Sequence, residues 1–366
     1  PQEADNIRRN PRLITFALTV NTGSHWAAVS QGQSYAEISL PASKSKKNEL
    51  EVTEARKTVT WISEEPQEEI FLIADRFEKY TSEYDRIKLY AYLIEDDPYL
   101  ANLYLKMAES YISFYEKLIG LYPYAKFALV ENSRQTGYGM PSFTLHGSKI
   151  IRFPFILHTS YPHEILHNWW GNGVYIHPNS GNWSEGLTSY LSDHLMAELE
   201  GNGAKYRFNE LMKFSNYVSS AGDFPLKDFK ARHDMASQAI GYGKWLMVLN
   251  MLRVELGDDI FLQSLREFYK KHQFRFAGYK EVQAELELVS GKNLEEFFQQ
   301  WVMSTGAPEL ELSEASYEKN ETGHVLQIRI EQKKAERAFR YHLPVAVWFK
   351  GNEHPQLLSL AMNEPA

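Results

Sequence analysis

The sequence predicts a multidomain α+β protein: a β-rich N-terminal domain over residues 1–92, a mixed domain over 93–306 and a β-sandwich-like C-terminal segment over 307–366. Three changes of periodicity carry this. Apolar residues alternate through the first ninety positions, as on half-buried strands. From about 157 to 305 they recur three and four apart, as on a helix face. After Ala307-Pro308 the period returns to two.

Ile14, Phe16, Leu18 and Val20 alternate cleanly, and 59–62, 70–73 and 87–92 read as further strands. The small, polar, Lys-rich stretch 41–48 reads as a loop. A helix is expected from Asp97-Pro98, where Asp caps and Pro suits the first turn. Its core stripe is read as Leu100, Leu103, Met107, Tyr111, Phe114 and Leu118, with Gly120 ending it. Trp245, Val248, Leu249, Leu252 and Leu256 form a second stripe, and Leu294, Phe297, Phe298 and Trp301 a third; both read as core. Beyond residue 307, the strand patterns are 310–312, 325–330 and 343–348.

Composition excludes several classes. The 23% charged and 43% hydrophobic residues are ordinary for a globular chain, and 366 residues suffice for two or three domains. The net charge of −8, without a basic block, argues against a nucleic-acid partner. With no cysteine there is neither a disulfide nor a thiolate metal site. No apolar run reaches the length of a transmembrane segment. Pro1 opens the chain without an initiator methionine, which suggests a removed leader or N-terminal part and a lean toward the cell envelope. Oligomeric state is not readable.

His163-Glu164-Ile165-Leu166-His167 is the most informative stretch. On a helix the two histidines lie one turn apart and face the same way, so their imidazoles can share one tetrahedral zinc ion. Glu164 stands beside that ion, where it can take a proton from a coordinated water. A catalytic zinc needs a third protein ligand and an open position. Glu185 supplies the ligand: Asn182 or Ser184 can cap a new helix whose stripe is Leu187, Tyr190, Leu191 and Leu195, which puts Glu185 in the first turn.

The segments His163 to Asn172 and Trp183-Ser184-Glu185-Gly186 resemble the gluzincin metallopeptidases of the membrane alanyl aminopeptidase and leukotriene hydrolase type. Tyr122-Pro123-Tyr124 with Phe127-Ala128-Leu129-Val130, Ile240-Gly241-Tyr242-Gly243-Lys244, and the run from Trp301 to Pro308 agree in order with the same family. The resemblance spans about 60 to 310 and implies a thermolysin-like catalytic domain, one zinc per chain and a peptide substrate. It also implies catalytic roles for Glu164 and Tyr242, the tyrosine stabilising the oxyanion.

This chain departs from the family twice. Residues 168–184 make the loop between His167 and Glu185 one residue shorter than usual, a change loops absorb. The family's exopeptidase loop reads Gly-x-Met-Glu-Asn, its Glu holding the substrate's free amine; here Gly139, Met140, Pro141 and Ser142 occupy it, with proline in place of that carboxylate. Gly139 and Met140 remain substrate-binding candidates, and Glu131 or a carboxylate of the first domain can replace the missing anion. The resemblance therefore implies an aminopeptidase, or a peptidase of the same machinery with different end-recognition; a non-catalytic scaffold is the rival reading. Asn172, Asp193 and His194 are candidates to orient the metal ligands. Arg232 is read first as a member of a surface ion pair and second as a contact for a substrate carboxylate, while His158 and His177 lack ligand spacing.

Overall fold

The computed structural model describes residues 12–40, 43–44, 52–53, 55–135, 137–321, 323–333 and 338–363. The N-terminal strands are β1 (Ile14–Gly23), β2 (Ala27–Ser30), β3 (Gln33–Leu40), β4 (Ser43–Lys44), β5 (Val52–Thr53), β6 (Arg56–Gln67) and β7 (Leu72–Asp75). β6 lies antiparallel between β1 and β3, and β2 pairs with β7. Of the expected loop 41–48, only Ser43–Lys44 lies within the described residues, paired with Val52–Thr53.

A five-stranded sheet follows, built from β8 (Glu78–Tyr84), β9 (Ile87–Leu93), β10 (Lys126–Asn132), β11 (Gly137–Met140) and β12 (Phe143–Gly147). Its order is β11-β12-β10-β9-β8, with β10 parallel to both neighbours and antiparallel strands at the two edges. The expected border between residues 92 and 93 falls inside β9, whose Lys88 to Tyr92 pair with Lys126 to Val130. Strand periodicity is the same whichever sheet a strand joins, so alternation alone cannot place a domain edge.

β10 is buried on both faces, and its alternation sorts two cores. Phe127 and Leu129 join Leu89, Ala91 and Leu93 beneath the helices. Ala128 and Val130 join Tyr92, Val59 and Trp61 toward the N-terminal strands.

Helix α1 (Pro98–Leu118) crosses over from β9 to β10. Asp97 caps it, accepting from the Leu100 N–H at 2.9 Å, as expected. Leu100 and Tyr111 of the expected stripe are buried, joined by Tyr104, Leu105, Ala108, Ile112 and Tyr115, while Leu103, Met107, Phe114 and Leu118 border the core. Tyr104 and Tyr111 can be buried there because their hydroxyls find acceptors, the carbonyls of Ile151 and Leu157 respectively.

The remaining helices are α2 (Ser160–Leu166), α3 (Trp183–Ser189), α4 (Leu195–Leu199), α5 (Gly203–Tyr217), α6 (Met235–Gln238), α7 (Trp245–Leu256), α8 (Asp258–His272), α9 (Tyr279–Ser290) and α10 (Glu295–Trp301). π-Helical turns at Tyr190–His194 and Ala239–Lys244 interrupt them beside the site. Short strands β13 (Tyr175–Ile176) and β14 (Phe276–Ala277) pair in parallel.

The C-terminal segment forms two antiparallel hairpins, β15 (Glu309–Asn320) with β16 (Gly323–Lys333) and β17 (Tyr341–Val347) with β18 (Gln356–Met362). Trp301 anchors the segment, its ring 5.1 Å from Phe339 and 6.0 Å from Tyr341. The expected sandwich is not formed among the described residues. The hairpins are separate two-stranded sheets, and apolar Leu312, Tyr317, Leu326 and Leu357 stay exposed where a facing sheet would cover them. No helix of the described residues is long and apolar enough to cross a membrane.

Candidate metal centre and active site

His163 and His167 project from one turn at the end of α2, their ring centroids 4.9 Å apart. Glu185 Oε2 lies 3.7 Å from His163 Nε2 and 3.5 Å from His167 Nε2. One donor atom from each falls within 4.8 Å of the others, the one such cluster among the described residues. Tetrahedral zinc with bonds of about 2.0–2.1 Å holds its ligand atoms about 3.3–3.4 Å apart, close to the two carboxylate–imidazole separations of 3.7 and 3.5 Å.

Local structure explains the convergence. Asn182 caps α3, accepting from the Glu185 N–H at 3.4 Å, and so starts the helix that carries the third ligand. Ser184, the other cap candidate, instead donates to the Trp170 carbonyl at 2.8 Å. That carbonyl also receives His167 Nδ1 at 3.0 Å, which turns Nε2 toward the metal position. His163 is oriented likewise by Asp193, Nδ1 to Oδ2 at 2.9 Å.

Glycines permit the close approaches. A β-carbon on Gly186 would sit 2.7 Å from the Gly241 carbonyl oxygen, so α3 can rest directly on the turn carrying Tyr242. One on Gly139 would sit 2.8 Å from the His167 β-carbon, so edge strand β11 runs tight against α2.

The electrostatics are those of a coupled cluster. Burial would lower the His163 pKa, but Asp193 and then Glu185 outweigh it and raise it well above the ordinary value. Burial would lower that of His167 too, and Glu185 overcomes it. Burial pushes Glu185 up, yet the two imidazoles hold it below the usual carboxylate range. Glu164 is raised, burial outweighing the pull of both histidines. Burial, then Glu185, pushes Tyr242 far up, so its hydroxyl remains a donor at neutral pH.

These residues line a cavity of about 930 Å³ together with Gly137, Tyr138, Gly139, Glu68 and Arg232. Arg232 lines the cavity, as do Gln238 and Tyr242 further along the chain. Gly139 lines the cavity. Met140 is a correction: it is absent from the cavity lining and packs toward the core of Trp61 and Phe143. Glu131 is a second correction. It is 1% exposed, accepts from the Ile94 N–H at 2.8 Å and from Arg152 at 2.8 Å, and has no reach into the cavity. Asn172 orients no ligand; its Nδ2 pins the Gly139 carbonyl at 3.1 Å. His194 turns to Arg207, Nε2 to Nη1 at 2.7 Å. His158 meets the Tyr111 hydroxyl and His177 the Asn179 N–H, both outside the cavity lining.

Sequence reading missed the Trp170 carbonyl, Ser184, Ser160 and Glu68. Only Ser184 carried a signal, as a serine in the first turn beside the ligand. Glu68 enters from the segment after β6, and burial, then neighbouring Glu69, pushes its pKa up to about 7.

Two histidines of one helix, a glutamate from the next helix and a neighbouring carboxylate make a donor set that suits a zinc ion. Residues 158–301 match the Peptidase family M1 domain. Aminopeptidase 2, mitochondrial, of Saccharomyces cerevisiae is 24% identical over 159 residues, covering 42% of this chain and 17% of the relative. Aminopeptidase M1-C of Oryza sativa subsp. japonica is 27% identical over 154 residues, covering 40% and 17%. A crystal structure of a mutant M1 zinc metallopeptidase from Deinococcus radiodurans superposes with a TM-score of 0.62 at 18% identity, covering 81% of this chain and 66% of that one. Another, bound to a Tyr-ser-ala substrate, superposes equally well and is covered to 65%. The matched stretch thus spans about a sixth of those two curated relatives.

Proposed function

We propose that the chain is a zinc-dependent metallopeptidase that acts as an aminopeptidase on short peptides. The observation that carries this is the placement of Glu164 and Tyr242 on the same cavity as three donors spaced for one tetrahedral ion. The sheet from β8 to β12 with the helices beneath it supports a thermolysin-like catalytic domain, beginning earlier in the chain than residue 93.

His163, His167 and Glu185 would hold one zinc ion per chain, which when bound would supply the Lewis acidity that acidifies water and polarises a carbonyl. Glu164 takes the proton of the attacking water on its carboxylate and passes it to the leaving nitrogen. The Tyr242 hydroxyl donates to the oxygen where negative charge develops. β11 borders the cavity at the sheet edge, where an extended peptide can add as a further strand along Gly137 to Gly139.

The test is hydrolysis of a small peptide panel, free and N-acetylated, with and without chelator. Cleavage lost on chelation, restored by zinc and abolished in Glu164→Gln supports the reading; cleavage indifferent to all three sinks it. A second reading keeps the machinery but changes end-recognition, and Pro141 with the committed Glu131 favours it. Acetylated peptides cleaved as fast as free ones would select that alternative. A scaffold without catalysis is disfavoured by the retained ligand set, and absence of zinc on elemental analysis would revive it.

A further inference from the structure

The polar group beside Glu164 that the proposed chemistry does not use is Ser160, with His146 behind it. Ser160 opens α2 one turn before Glu164, so both share a helix face, and both line the cavity. Opposite them stands Gly137. A β-carbon there would lie 2.9 Å from Glu164 Oε1, 3.0 Å from Ser160 Oγ and 3.4 Å from His146 Nε2, so three polar atoms converge in the gap between β11 and α2. Ser160 does not serve as the helix cap, a position that falls to Thr159.

Counting hydrogens fixes the direction of each bond. The Thr144 hydroxyl has one hydrogen and donates it to the Tyr138 carbonyl at 3.0 Å. Its oxygen can therefore only accept from His146 Nδ1, 3.1 Å away. The imidazole hydrogen then sits on Nδ1 and leaves Nε2 as an acceptor. Ser160 Oγ, 3.4 Å from Nε2, supplies the donor. With its hydrogen turned inward, Ser160 shows only lone pairs to the cavity. His146 is fully buried, edge-on to Tyr161 at 5.9 Å, and burial lowers its pKa to about 4, so protonation does not reverse the arrangement at neutral pH.

We propose that Ser160, with its hydroxyl held by His146, is a specificity-determining contact that accepts a hydrogen bond from a side-chain hydroxyl or amide of the peptide residue flanking the scissile bond. This rests on the peptidase reading. A peptide with an aliphatic side chain there leaves the acceptor without a partner after its water is displaced, and loses against one that donates. His146 acts as a positioning residue.

Threonine and valine are near-isosteric and differ by the donor, so peptides carrying one or the other at each flank of the cleaved bond test the contact. At one flank the native chain should prefer threonine by about tenfold in kcat/KM. Ser160→Ala should bring that ratio to about one with zinc content unchanged, and Ser160→Thr should restore it. His146→Phe should lower the ratio although Ser160 is intact, which a mere packing role would not do. A native ratio near one at both flanks, or a preference that survives Ser160→Ala, overturns the inference. If the native chain cleaves none of the peptides, the peptidase reading fails. The same ratio, read as dissociation constants of these peptides for the zinc-loaded chain, then decides the Ser160 contact separately.

Discussion

Asp193 Oδ2 lies 2.9 Å from Nδ1 of His163, and a π-helical turn is what brings it there. On an uninterrupted α-helix, about 100° per residue, the residue two turns beyond Glu185 on the same face is Ser192. The turn at Tyr190–His194 accommodates one extra residue, so Asp193 takes that place. Asp193→Asn should weaken zinc binding by about 10- to 100-fold. Competition against a chelator of known affinity reads this directly, and unchanged affinity would deny Asp193 its orienting role.

The second π-turn carries Tyr242, whose hydroxyl faces Glu185. Tyr242→Phe should keep the zinc content and lower kcat by about 10²–10³, the range for losing one oxyanion donor. Zinc analysis alongside turnover separates this from a damaged metal site. Unaltered turnover removes the tyrosine from the chemistry.

Gly186 is where α3 meets the Tyr242 turn. In Gly186→Ala the new carbon would stand 2.7 Å from both the Gly241 oxygen and Trp245 Cδ1, neither of them the far end of a flexible chain. Overpacking of this kind costs about 1–3 kcal/mol, so the melting temperature should fall by several degrees. Zinc occupancy should fall with it, because the displaced residue adjoins Glu185. A variant as stable and as fully metallated as the native chain would show that the contact relaxes freely.

Glu68 predicts a pH effect on stability. Its folded pKa of about 7 exceeds the ordinary 4.5, so between those values the folded chain holds more proton than the unfolded one. Stability is therefore lost as pH rises through that window, and the loss persists above it. Because Glu68 remains exposed to solvent, which screens the effect, Glu68→Gln should melt only slightly higher than the native chain at about pH 8 and alike at about pH 4, below both values. Thermal denaturation at the two pH values checks this; an equal difference at both would contradict it.

What sequence alone could determine was local. His163, Glu164 and His167 fall within two helical turns, so 3.6-residue geometry orients them without any knowledge of the fold. Asp97 announced α1, and the return of alternation after residue 307 announced strands, because caps and periodicity act over a few residues. The tertiary structure decided everything that depends on contact between distant segments. It assigned β8 and β9 to the catalytic sheet, withdrew Glu131 into a pair with Arg152, turned Met140 from the cavity and set Trp170, Ser160 and Glu68 around the site. Pairing register and the choice of a buried partner arise from packing across many residues of chain, and the pattern of any single stretch is the same before and after that choice.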